Sequence, residues 1–279
     1  MSDIQNDFLN SLGGASSVSD GDISQAPMGA VVRLETDVDM VFCIDVTGSM
    51  GPFLDSVKSM VQNLYDDLVR ELAGRSRLSR NFRAKIIAFR DYYADGEEYA
   101  MNESRFYNLT DPDDNLEFCE YVAGLKQGGG GDEPENALEA LALAMKCLHE
   151  EGCEVYSGNE RARHIIVMCT DASAHPLEPD KLKELGKEKP DYYPKDMLES
   201  LAEMKEAWNG VSQNGMTADY TMNGKAKRLV LFTTNSYPWD EIGGASPWDC
   251  VSESSISAGK GGRELDTSTI LNVLAGSVG

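Results

Sequence analysis

Residues 163–170 read RHIIVMCT, an apolar run without polar alternation. A strand that is apolar on both faces needs cover on both faces, which is the situation of a central strand in a parallel sheet. Related runs occur at 39–44, 82–89 (FRAKIIAF) and 227–233 (KRLVLFT), with a short antiparallel edge strand expected at 105–109 and a last short strand near 249–252. Amphipathic stretches separate them. Over 53–72, Leu54, Val57, Val61, Leu64, Leu68 and Leu72 recur at three- and four-residue steps and predict one helix. Further helices are predicted over 113–125, after the glycines at 128–131, over 180–185, 195–208 and 267–278. The alternation of strand and helix predicts an α/β fold: a doubly wound, mostly parallel central sheet with helices on both faces. No internal repeat and no second core is legible. The 279 residues therefore divide into a leader over 1–30, rich in Ser, Gly, Asp and Asn and expected to be flexible, and one domain over 31–279.

Ligand sites in such sheets lie beyond the carboxyl ends of the strands, near the switch in strand order. Two of the apolar runs stop at an acid there, one at Asp45 and one at Asp171. Asp45 is followed by Thr47 and Ser49 at alternate positions around Gly48, and then by a helix. One carboxylate and two hydroxyls are hard oxygen ligands, the type that suits Mg²⁺, Mn²⁺ or Ca²⁺ rather than zinc. Other chemistries fit less well. A dehalogenase-type phosphatase needs a second Asp at position 47, and a Walker loop needs a lysine that is not present. A nucleophile elbow needs glycine where Thr47 stands. A plain helix cap by Thr47 or Ser49 is the simplest competing reading.

The Asp-x-Thr-Gly-Ser motif after an apolar strand resembles the first loop of the metal-ion-dependent adhesion site of von Willebrand factor type A domains. Met168-Cys169-Thr170-Asp171-Ala172 is similar to the third loop of that site. The second loop of the family normally supplies a threonine. Here the matching place reads Gly131-Asp132-Glu133-Pro134-Glu135, without one. This stretch, together with Phe89-Arg90-Asp91, looks more like the intracellular branch attached to some alpha-kinases. The resemblance covers roughly residues 35–279 and implies a Rossmann-like von Willebrand type A fold. It also implies a binding module rather than an enzyme, with a divalent cation held by Asp45, Thr47, Ser49, Asp132 and Asp171. A protein partner's acidic side chain would complete the metal shell. Asp132 has a competing role, because Asp132 and Glu135 have the spacing of a capping box with Pro134 in the first turn. The alternative function is a hydrolase that uses Ser49 with His175 and Asp171, or a metal-activated water at the same loops. His175 is otherwise expected to be a loop residue, Asp91 a structural acid paired with Arg90 or capping a turn, and Trp239 and Trp248 buried loop anchors.

A net charge of −22 argues against nucleic acid and anionic membranes as partners. No apolar run is long enough to span a bilayer, and no signal segment is legible. The 6 cysteines are scattered, without a Cys-x-x-Cys pair, which predicts reduced thiols and a cytoplasmic location. The 3 histidines are too dispersed for a zinc motif.

Overall fold

The computed structural model describes residues 34–61, 63–74, 77–130, 133–155, 162–212, 215–243, 248–249, 251–263, 265 and 267–278. The expected leader, and with it Asp132, lies outside the described residues. The strands are β1 (Leu34–Asp45), β2 (Arg77–Phe89), β3 (Met101–Glu103), β4 (Tyr107–Asn108), β5 (Arg163–Cys169), β6 (Lys227–Thr233) and β7 (Val251–Ser255). They form one sheet in the order β3-β2-β1-β5-β6-β7, with β4 pairing on β2. β2, β1, β5, β6 and β7 run parallel, and β3 and β4 lie antiparallel to β2. The larger helices are α1 (Gly51–Val61), α2 (Leu64–Gly74), α3 (Pro112–Gly124), α4 (Ala137–Val155), α5 (Leu201–Trp208) and α6 (Thr267–Val278).

Strand geometry divides the apolar residues into two cores, because successive side chains point to opposite faces. Val38, Met40, Phe42 and Ile44 of β1 join Val167, Phe232, Phe53, Leu68, Phe118 and Leu274 on the face covered by α1, α2, α3 and α6. Val41 and Cys43 join Ile166, Met168, Leu231, Leu141, Met204 and Trp208 on the face covered by α4 and α5. The parallel register keeps the two sets in phase, with Phe42 beside Val167 and Cys43 beside Met168. Both faces are therefore filled, as the apolar runs require, and the fold is a Rossmann-like mixed α/β architecture. A charged pair is set in the same lattice. Asp39 stands beside Arg83 in the register, and the guanidinium donates to both carboxylate oxygens at 2.8 Å.

Three expected helices differ in extent. The one expected straight after the glycines, with Pro134 in its first turn, begins only at Ala137; Glu135 instead forms a parallel bridge with Ala174, so it is not part of a capping box at a helix start. The helix expected over 53–72 is two helices, α1 and α2. The Asn63 N–H donates to Met60 O at 3.1 Å, closing a turn, and the Asn63 carbonyl then accepts from Asp67 N at 2.8 Å. Asn63 thus restarts the helix, with Asp66 and Asp67 in its first turn, where the dipole favours acids. The apolar stripe continues across the break, so periodicity alone does not reveal it. The helix expected over 195–208 begins later, at Leu201. Ser200 Oγ accepts from Glu203 N at 3.1 Å, and Glu203 Oε2 accepts from Glu199 N at 2.8 Å. That is close to a capping box. β3 is an edge strand without a clear apolar pattern and was not expected.

Candidate metal centre

β1 and β5 are neighbours, and the chain runs outward from them in opposite directions along the sheet. Their carboxyl ends therefore flank the switch point. Asp45 is the last residue of β1 and is fully buried. Its Oδ1 accepts from Thr47 N at 2.8 Å and from Thr47 Oγ1 at 2.6 Å, and its Oδ2 accepts from Thr170 Oγ1 at 2.7 Å. Asp171 follows β5, also buried. Its Oδ1 accepts from Ser49 Oγ at 2.8 Å and its Oδ2 from Gly261 N at 2.6 Å. Thr47 Oγ1 and Ser49 Oγ lie 3.5 Å apart, so two hydroxyls bridge the two carboxylates. The structure thus brings Asp45, Thr47, Ser49 and Asp171 together.

Thr47 occupies the N-cap position of the short helical turn Gly48–Met50, but its side chain makes no capping bond. Its hydroxyl turns back to Asp45 instead, which removes the plain-cap reading for this residue. Ser49 is exposed at the mouth of the site. Among the described residues, no Lys, Arg or His forms an ion pair with Asp45 or Asp171. Burial pushes the Asp45 carboxyl up to about 6, against the lowering effect of the Thr47 and Thr170 hydrogen bonds, and Asp171 adds to the rise.

Four participants were not legible as site residues. Thr170 donates across from β5 to Asp45. Gly261 presents its backbone N–H to Asp171 from a distant loop. At Gly261 φ is +61°, and a Cβ would fall 2.2 Å from Ser49 O, so a side chain there would collide with the Ser49 turn. Asp95 Oδ2 accepts from Gly130 N at 3.2 Å and fixes the glycine-rich loop. Glu135 is the fourth. Its backbone is bridged to the loop after β5, through Glu135 N to Ser173 O at 3.0 Å and His175 N to Glu135 O at 2.9 Å. Its side chain is 4% exposed and Oε2 has no hydrogen-bond partner. Burial, with Asp45, Asp91, Asp95 and Glu133 nearby, pushes its carboxyl up to about 9. A cleft of about 230 Å³ is lined by Thr47, Ser49, Gly130, Glu133 and Glu135 among others.

The donor set consists of hydroxyls and carboxylates, which fits a hard divalent cation and no soft metal. The partnerless buried Glu135 oxygen is of the same type, and among the described residues no group of three or more His, Cys, Asp or Glu side chains is already placed to hold an ion. Of the other singled-out residues, His175 is fully buried, with Nε2 3.4 Å from Asp91 Oδ2 and its ring edge-on to Tyr93. The Ser49 hydroxyl is bonded to a carboxylate rather than to that imidazole. Asp91 accepts from Tyr93 N at 2.7 Å, a turn-capping role, while Arg90 lies 3.8 Å from Asp95. Trp239 is a buried anchor whose Nε1 donates to Ala172 O at 3.0 Å and steadies the Asp171 loop; Trp248 is also buried. Cys43, Cys119, Cys147 and Cys169 are not in disulfides, and no helix among the described residues is long and apolar enough to cross a membrane.

Fold and site together define a mixed α/β protein with a carboxylate–hydroxyl cluster at the switch point of its sheet. No protein-family model matches the chain. It is similar to the alpha-protein kinase vwkA of Dictyostelium discoideum, 26% identical over 147 residues, which is 53% of this chain and 20% of that protein. Two solved structures of the pilus adhesin SpaC of Lactobacillus rhamnosus GG, one in an open conformation, match 87% of this chain and 30% of theirs, each with TM-score 0.45 and identities of 10% and 11%. The chain thus spans about a fifth of the curated relative and under a third of these structures.

Proposed function

We propose that this chain is a cytosolic protein-interaction module of the von Willebrand type A kind that binds a divalent cation, Mg²⁺ foremost with Mn²⁺ or Ca²⁺ as alternatives. The observation that carries the reading is the buried Asp45–Asp171 pair, bridged by hydroxyls and ion-paired to no basic side chain among the described residues. Asp45, Thr47, Ser49 and Asp171 would hold the ion, some directly and others through water. Asp132 belongs to the same proposed set, since it sits in sequence between Gly130 and Glu133 of the cleft. A bound cation would offer an open coordination position to an outside oxygen. The local similarity to an alpha-protein kinase agrees with the resemblance of the glycine-rich motif to domains attached to such kinases.

The outside oxygen in this reading is a carboxylate of a protein partner. A second cleft, about 510 Å³, opens beside Ser49 and carries Lys260 and Arg263 on its wall with Asp55 and Gln127. In a chain of net charge −22, two cations at the mouth of the site complement an acidic partner segment. A hydrolase built on Ser49 needs a base at its hydroxyl, and the His175 ring is turned to Asp91 instead.

Thermal melting tests the cation, because a ligand that prefers the native state raises stability by mass action. Millimolar Mg²⁺ should raise the melting temperature of the wild type and raise it less in Asp171→Asn. An unchanged wild-type melt is the result that opposes the reading. Mg²⁺-dependent turnover of a panel of esters and phosphoesters would favour a hydrolase instead.

A further inference from the structure

The geometry points to Glu135 as a direct cation ligand that takes the place of the threonine the resemblance leads one to expect. This rests on the metal-site reading above and adds Glu135 to its ligands. Three observations converge. Glu135 is almost fully buried, yet its Oε2 has no hydrogen-bond partner, an expensive arrangement for a carboxylate with no further role. Its side chain lines the same cleft as Thr47 and Ser49. The glycine-rich loop is shaped around it: a Cβ on Gly130 would fall 2.9 Å from Thr47 Cβ and 3.0 Å from Glu135 Oε1. Gly130, at φ +71°, is thus the residue whose missing side chain lets Thr47 and Glu135 face each other.

The placement is held by backbone and not by chance packing. The two hydrogen bonds that join Glu135 to Ser173 and His175 tie its Cα to the loop that carries Asp171. The Asn136 N–H to Arg90 O bond, 3.2 Å, ties the next residue to the end of β2. Glu135 therefore enters the site from the position of a second loop, between those of Asp45 and Asp171. Glu133 lines the cleft too, but it is exposed and serves as an internal control. Ligand charge tunes the affinity of a site for a hard divalent cation, so removal of one carboxylate ligand weakens binding.

The test is Mn²⁺ binding followed by electron paramagnetic resonance, with solvent proton relaxation to count the waters left on the bound ion. Glu135→Gln, which keeps the shape, should melt at or above the wild-type temperature without metal and bind Mn²⁺ at least about tenfold more weakly. Glu133→Gln should stay close to the wild type. Glu135→Ala, where it retains Mn²⁺, should carry one more water on the ion. If the wild type binds and Glu135→Gln binds equally well, or if Glu133→Gln is weakened as much, Glu135 is no ligand and the metal-site reading stands alone. If the wild type binds no Mn²⁺ or Mg²⁺, both fall.

Discussion

At the residue scale, a second buried acid separates the cost of burial from the use of a ligand. Glu139 lies in the first turn of α4, fully buried, with Oε1 accepting from Asn136 Nδ2 at 2.7 Å and Tyr193 OH at 3.0 Å. Its Oε2 has no hydrogen-bond partner. Burial holds its carboxyl above the usual range, and the Asn136, Tyr193 and His175 neighbours only soften the rise. A raised carboxyl keeps a proton in the folded chain that the unfolded chain releases. The associated stability is present at low pH and is lost as pH rises above the unfolded value, about 4.5. Metal-free protein should therefore lose stability to urea between about pH 5 and about pH 8, and Glu139→Gln should show a shallower loss over that window. Identical slopes in the two proteins would mean that Glu139 is ionised throughout.

At the element scale, the strands were legible because their chemistry is local. Residues 163–170 carry apolar side chains for both faces, and β5 is found at Arg163–Cys169 between β1 and β6. The same holds for β6, observed over the expected Lys227–Thr233. Helix ends were less legible, because they depend on single polar bonds within a continuing apolar pattern. Asn63 divides α1 from α2 in this way, and Ser200 starts α5. The α5 start is directly testable. Ser200→Ala removes the bond to Glu203 N and should cost about 1 kcal/mol of unfolding free energy, the usual value of an N-cap. Denaturant titration reads this, and a loss within error of zero would mean that Glu203 or water caps the helix without Ser200.

At the scale of the whole molecule, the sheet order turns two distant strand ends into one site. Asp45, Thr47, Ser49 and Asp171 were legible because each stands at or just beyond the end of an apolar run, and such ends converge in a doubly wound sheet. Gly261 was not, since its donation to Asp171 spans 90 residues and depends on how the chain folds after the last strand, β7. Glu135 read as half of a capping box, because nothing in the sequence tells which way a carboxylate turns. Charge also acts at this scale. Lys260 and Arg263 stand beside Ser49 in a chain of net charge −22, so their joint reversal to Glu should weaken an acidic partner peptide and leave Mg²⁺ affinity within about threefold. Equal peptide binding by both proteins would remove the basic wall from the partner surface. The central claim is that Asp45 and Asp171 hold a cation between them. Calorimetric titration of Mg²⁺ into wild type, Asp45→Asn and Asp171→Asn, each checked for native circular dichroism, tests it most directly. The expected result is one ion bound per wild-type chain, with the heat lost or affinity reduced at least about tenfold in each variant. Folded variants that bind Mg²⁺ as tightly as the wild type, or a wild type with no binding heat at any Mg²⁺ concentration up to about 10 mM, would contradict it.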